Sequence, residues 1–182
     1  MIRPLWLFGY GSIIWKTGFD YERAELGFIR DRARRFWQGS SDHRGTPDAP
    51  GRVVTLVDMP GESCWGMAFL IPAKQVAATM VELDYREKNG YVREAVMIET
   101  RSGEYLEGIT YHADVTNPHF LGDARLEEIA AQIHRSVGPS GTNKAYIHWS
   151  STRPLRLMVS KTITYASWPG SYAIYEGTDE NY

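Results

Sequence analysis

The chain has 182 residues, 43% of them hydrophobic, a formal net charge of −2 and a sequence pI near 6.2. That is enough apolar material for one domain with its own core. The near-neutral balance gives no general attraction to nucleic acid or to an anionic membrane, and no apolar run is long enough to span a bilayer.

In chain order, strands are expected near 5–9, 27–38, 52–59, 63–71, 91–100 and 105–113, with helices at 73–88 and 123–137. Consecutive strands with few helices argue for an α+β fold, a mixed or barrel-like β-sheet with a few packing helices. The first strand, Leu5-Trp6-Leu7-Phe8, runs directly into Gly9-Tyr10-Gly11-Ser12. Two glycines flanking a tyrosine allow positive φ and close approach of the main chain to a ligand, so backbone N–H groups there can face an anion. The third glycine of a dinucleotide fingerprint is missing, as is the Gly-Lys-Ser/Thr of a phosphate loop. A tight strand-to-turn connection without a ligand explains the turn equally well.

The basic cluster Arg30, Arg32, Arg34 and Arg35 is interrupted by Asp31 and reads as an alternating solvated strand face. Cys64 is the single cysteine, which excludes an internal disulfide and suits a reducing compartment. It reads as buried packing. The five histidines have no metal-ligand spacing, so no metal is expected. His134 falls on the rim of a helix, and His43, in Ser41-Asp42-His43-Arg44-Gly45, sits in a loop that reads as structural.

The expected helix 73–88 carries Val76, Met80 and Leu83 along one face, and Glu87 continues that series. Neighbours in sequence do not share a helix face, so Arg86 and Lys88 are expected to point elsewhere and leave Glu87 facing inward. Asn89-Gly90 is the stop signal. A desolvated carboxylate beside the negative end of a helix dipole favours its protonated form unless Arg86, Lys88 or a ligand amine offsets the cost, and such a group is suited to moving a proton. A solvated charge cluster Arg86-Glu87-Lys88 is the competing reading.

Six segments, in order from residue 5 to about 146, resemble the ChaC-type γ-glutamylcyclotransferases: Leu7 to Lys16, Arg34 to Ser40, Asp42 to Gly45, Pro50 to Leu56, Leu83 to Tyr91 and Gly138 to Asn143. The resemblance implies an enzyme that cleaves the γ-glutamyl bond of glutathione, releasing 5-oxoproline and Cys-Gly with no cofactor. It implies that Leu7, Phe8, Gly9, Tyr10, Gly11 and Ser12 hold the γ-glutamyl group and that Glu87 accepts a proton. Other γ-glutamyl peptides or amines as substrates, and a non-catalytic binding module with the same pocket, remain open. A small-molecule substrate, no nucleic acid, no membrane, a monomer and a cytoplasmic address are the matching expectations.

Residues 1–145 are expected to form the catalytic domain, and 146–182 an atypical tail. Residues 146–175 contain no Asp or Glu, whereas the preceding 145 residues hold 19, a density that predicts about four. A shifted reading frame relative to the family and a divergent strand pair both account for that composition.

Overall fold

A computed structural model describes residues 3–150, 163–168 and 171–176. The described residues fall into two compact units, Met1–Arg34 with Thr55–Phe120, and Arg35–Val54 with Leu121–Tyr182.

Five strands, β1 (Leu5–Gly9), β2 (Arg23–Ser40), β3 (Gly51–Ile71), β4 (Val92–Thr100) and β5 (Tyr105–His112), close into a barrel in the order β1-β3-β2-β4-β5. The expected α+β barrel is therefore present. β1 pairs antiparallel with β3, Leu5 opposite Ile71 and Gly9 opposite Met67, and parallel with β5, Leu7 opposite Ile109. Alternation along the strands sends Leu7, Ile71 and Ile98 inward, each at 0% exposure.

The expected strands 52–59 and 63–71 are one continuous strand. Pro60-Gly61 reads as a turn in the sequence, but Gly61 instead takes a φ of 86° within β3. Asp31 takes 58° within β2, and the Gly61 N–H donates to its carboxylate at 2.8 Å. Bulge-like kinks of this kind bend a long strand without ending it. The arginine cluster also departs from a solvated face: Arg30 is exposed, but Arg34 and Arg35 are only 5% and 7% exposed, and the Arg34 Nη2 donates to the Trp65 carbonyl at 2.5 Å. Cys64 is buried as expected, and His134 is exposed.

Helix α1 (Val76–Arg86) is shorter than the expected 73–88. Its first turn is built on Pro72, whose carbonyl accepts from the N–H groups of Gln75 and Val76. Met80 and Leu83 pack into a core with Leu7, Ile13, Phe69, Ile71 and Tyr111. That burial, rather than intrinsic propensity, holds an eleven-residue helix in place.

The second unit contains α2 (Leu126–Arg135), α3 (Asn143–Ser150) and two short strand pairs: β6 (Val137–Gly138) with β7 (Gly141–Thr142), and β8 (Ile163–Trp168) with β9 (Ser171–Glu176). α2 buries Ile129 and Ile133. Asn143, fully buried, accepts from the Arg52 N–H at 2.6 Å and donates to the Arg52 carbonyl at 2.8 Å. Arg52 in turn donates to the carbonyls of Phe36 and Gly122 and to Gln132. Within the tail 146–182 a strand pair is thus present at β8 and β9. The remainder of that tail beyond Ser150 lies outside the described residues.

Candidate active site

β1 ends at Gly9, and the chain turns there into a 3-10 turn. A Cβ on Gly9 would stand 2.9 Å from Ile13 Cγ2, so the residue must be glycine for Ile13 to fold back beneath the turn. Positive φ is not the reason: neither Gly9 nor Gly11 adopts it, and Gly11 sits at φ −127°, ψ −133°. The expected left-handed nest is therefore replaced by a strand end followed by a short 3-10 turn, Ser12–Ile14. Its first bond runs from the Ile14 N–H to the Gly11 carbonyl at 3.0 Å, which leaves the N–H groups of Ser12 and Ile13 outside that turn's own bonding.

Leu7 and Phe8 are completely buried and serve the core with their side chains. The Phe8 carbonyl accepts from Thr110 Oγ1 at 2.9 Å. Tyr10 is also buried, its hydroxyl donating to the Tyr111 carbonyl at 2.7 Å. Gly11 and Ser12 are the partly exposed members of the motif.

Glu87 lies one residue beyond α1 as its C-cap, at φ −94°, ψ 16°, its N–H bonded to the Leu83 carbonyl at 2.8 Å. Its side chain is 15% exposed. The carboxylate is thus neither a solvated surface group nor a deep core residue. Arg86 does not point away from it, as helix periodicity predicts, because the helix ends between them. The Arg86 Nε stands 3.3 Å from Glu87 Oε1. The same guanidinium donates from Nη2 to Ser12 Oγ at 2.8 Å, and from Nη1 to the carbonyls of Lys16 at 2.5 Å and Thr17 at 3.2 Å. One side chain therefore joins the two features that the sequence singled out separately. Lys88 turns elsewhere, its ammonium 4.4 Å from the centre of the Tyr85 ring.

Two groups near Glu87 gave no signal in the sequence. The Tyr111 hydroxyl donates to Asp84 Oδ1 at 2.7 Å, and Asp84 is paired with Arg93. Burial first, then the Asp84 carboxylate, push the Tyr111 phenol well above its ordinary value, and the charge of Glu87 adds to the same shift. A tyrosine on a barrel strand and an aspartate three residues before Glu87 look like ordinary packing and surface groups until the strand and helix are placed together.

A separate concavity between β2 and β4 is lined by Arg30, Arg32, Glu94 and Glu99 among others. Its charges are paired across the seam, Arg30 with Glu99 and Arg32 with Glu94, and it holds none of the motif residues. His43 meets Ser140 Oγ at 3.0 Å, which fits a structural loop. Among the described residues no group of three or more His, Cys, Asp or Glu is arranged to hold a metal ion, and no helix is long and apolar enough to cross a membrane.

The model of the family described as "ChaC-like protein" matches residues 5–160. The glutathione-specific gamma-glutamylcyclotransferase 1 of Danio rerio is 41% identical over 147 residues, covering 79% of this chain and 75% of that protein. The gamma-glutamylcyclotransferase 2-3 of Arabidopsis thaliana is 42% identical over 151 residues, covering 79% and 76%. Among solved structures, the yeast γ-glutamyl cyclotransferase specific to glutathione aligns with a TM-score of 0.77 at 28% identity, over 88% of each chain. A barrel of this order, a Gly-Tyr-Gly-Ser turn at the end of its first strand and a glutamate just past its first helix thus occur in a chain that belongs to the ChaC-like family.

Proposed function

We infer that this protein is a glutathione-specific γ-glutamylcyclotransferase, a cofactor-independent enzyme that converts glutathione to 5-oxoproline and Cys-Gly. The observation that carries the reading is the half-buried Glu87 carboxylate, held on the same guanidinium as Ser12 of the turn. Relatives named for this activity span most of the chain.

The chemistry needs few groups. The α-amine of the γ-glutamyl moiety attacks its own γ-carbonyl carbon, a five-membered ring closes, and the γ-amide C–N bond breaks. No water enters. Free glutathione carries an ammonium at neutral pH, which has no lone pair for attack, so a base must take one proton. Glu87 is that base. As a carboxylic acid it then returns the proton to the departing amine of Cys-Gly, and the second proton that the ring nitrogen gives up on becoming an amide goes to the freed amine, which leaves as an ammonium, so the enzyme ends as it began. General acid–base help of this kind contributes about 10²–10⁴-fold. Holding the chain folded for ring closure contributes more, since well-oriented intramolecular reactions reach effective molarities worth about 7–11 kcal/mol.

The turn supplies the holding. The Ser12 and Ile13 N–H groups and the Ser12 hydroxyl are the donors available to the α-carboxylate and to the oxyanion that develops at the γ-carbon. Leu7, Phe8 and Tyr10 act through the backbone they fix, because their side chains are spent in the core. A cytoplasmic setting, where glutathione is abundant and thiols stay reduced, suits a single buried cysteine.

Chromatography of the products tests the reading. Purified protein incubated with glutathione should yield 5-oxoproline and Cys-Gly in equal amounts, γ-glutamylalanine should react far more slowly, and Glu87→Gln should yield neither product. A folded protein that binds glutathione without forming either product would instead be a binding module.

A further inference from the structure

We propose that Arg86 is a positioning residue of this reaction: its guanidinium holds the Glu87 carboxylate and the Ser12 turn in one geometry, so that base and substrate cradle are assembled before substrate arrives. The proposal rests on the reading of Glu87 as the base.

Three features support it. The guanidinium spends all three nitrogens on separate parts of the site: Nε on Glu87, Nη2 on Ser12 Oγ, and Nη1 on the carbonyls of Lys16 and Thr17. Its planar, fixed fork can hold such a set at once, which the single ammonium of lysine cannot. Second, the side chain is 23% exposed, so it is partly shielded from solvent and from salt, and ordering it restrains both elements that it touches. Third, Ser12 Oγ accepts from Arg86, which directs its own O–H away from the guanidinium. That proton is then presented as a donor, the polarity needed for a substrate carboxylate.

Arg86 also answers the electrostatic problem of Glu87. The carboxylate stands at the negative end of α1. On β5, the Tyr111 hydroxyl feels its charge, is neutral and donates to Asp84. Asp84, on α1, is neutralised by Arg93 of β4. Lys88, the other neighbouring cation, lies over Tyr85. Arg86 therefore places a cation in direct contact with Glu87. With that cation gone, the ionised form of Glu87 is less favoured, so the acidic limb of the rate profile must move to higher pH.

The test compares Arg86→Lys and Arg86→Gln with Glu87→Gln and Ser12→Ala by steady-state kinetics across pH. Arg86→Lys should lower kcat about 10- to 100-fold, the scale of a base displaced by a fraction of an ångström. Arg86→Gln should do so and also shift the acidic limb of kcat/KM to higher pH, the direction expected for a carboxylate that has lost its charge partner. Added guanidinium, but not methylammonium, should restore part of the activity of Arg86→Ala. Ser12→Ala should cost less in the Arg86→Gln background than in the parent, because the link it breaks is already gone. If both Arg86 variants keep kcat within twofold with an unmoved limb while Glu87→Gln is inactive, Arg86 is not a positioning residue. An active Glu87→Gln enzyme would overturn the reading of the base instead. Should Arg86→Gln or Arg86→Ala be poorly folded, the charge-conserving Arg86→Lys decides: a kcat within twofold of the parent overturns the proposal.

Discussion

Two polar clusters in this protein use the same residue types to opposite ends. In the second unit, Arg52 and Asn143 are 6% and 0% exposed, and the bonds around them run to backbone groups of Phe36, Gly122 and Arg52 itself and to the Gln132 side chain. In the first unit, Arg86 and Glu87 are 23% and 15% exposed, beside a turn whose leading N–H groups its own helical bond does not use. Both arginines hold loops together. The second stands beside Gly11 and Ser12, which are partly exposed. Burial also tells in the charge itself: desolvation pulls the Arg52 guanidinium below its ordinary value, with Asp123 and Glu128 opposing that shift. A polar cluster shut away from solvent is scaffold, and one that reaches a partly exposed turn is a candidate site.

Substitutions at each cluster should separate rate from stability. The largest effect falls on rate. Glu87→Gln keeps size and hydrogen bonding but not basicity, and should lower kcat by at least about 10²–10⁴-fold, with a melting temperature within a few degrees of the parent. A variant that melts far lower would make Glu87 a stabilising group and erase the contrast.

Asn143→Ala comes next and should act on stability alone. It strips the buried N–H and C=O of Arg52 of their partners, at about 1–3 kcal/mol each, so urea denaturation should show a loss of about 2–6 kcal/mol. In the cold, where the variant is still folded, kcat/KM should stay within twofold. A rate loss without a stability loss would move Asn143 to the side of the site.

Gly9→Ala tests the boundary between the two behaviours. Its methyl group would meet Ile13 Cγ2 at 2.9 Å, and overpacking of this kind costs about 1–3 kcal/mol. Because Ile13 lies within the 3-10 turn, relief of the clash displaces the donors of the cradle. KM should therefore rise several-fold while the pH profile keeps its shape. Shortening the obstacle, as Gly9→Ala with Ile13→Ala, should recover KM although the core is weaker.

Much of this was legible in the residues. Strand alternation placed β1, β4 and β5 to within about a residue, and the apolar series Val76, Met80, Leu83 placed α1 on the barrel. The misreadings have local physical causes. Pro60-Gly61 breaks a strand by rule, yet the kink it makes is matched by Asp31 on the neighbouring strand, which no single-segment pattern encodes. Helix periodicity set Arg86 against Glu87 because the expected helix ran to residue 88, two residues past its true end at Arg86. At the true end of α1 the backbone turns and the two side chains meet. Arg34 and Arg35 read as solvated because burial of a cation depends on carbonyls distant in sequence, such as that of Trp65 for Arg34.

Tyr111→Phe is the finest test of where site ends and scaffold begins. Tyr111 is 3% exposed, and its hydroxyl is held protonated well above the ordinary value of 10.0 by burial and by Asp84. The native protein therefore keeps this proton at a pH where the unfolded chain has lost it. Its contribution to stability is complete below about pH 10 and is lost as pH climbs from there toward the native value. Tyr111→Phe should cost about 1 kcal/mol near pH 7, the net worth of one hydrogen bond, and should show a shallower decline above pH 10 than the parent. Circular dichroism melts between pH 7 and pH 11 give both numbers. At neutral pH the phenol is neither acid nor base, and kcat should change by less than about threefold. A collapse of kcat with stability intact would mean that the phenol, rather than the turn, holds Glu87 in register, and would draw the barrel strand β5 into the site.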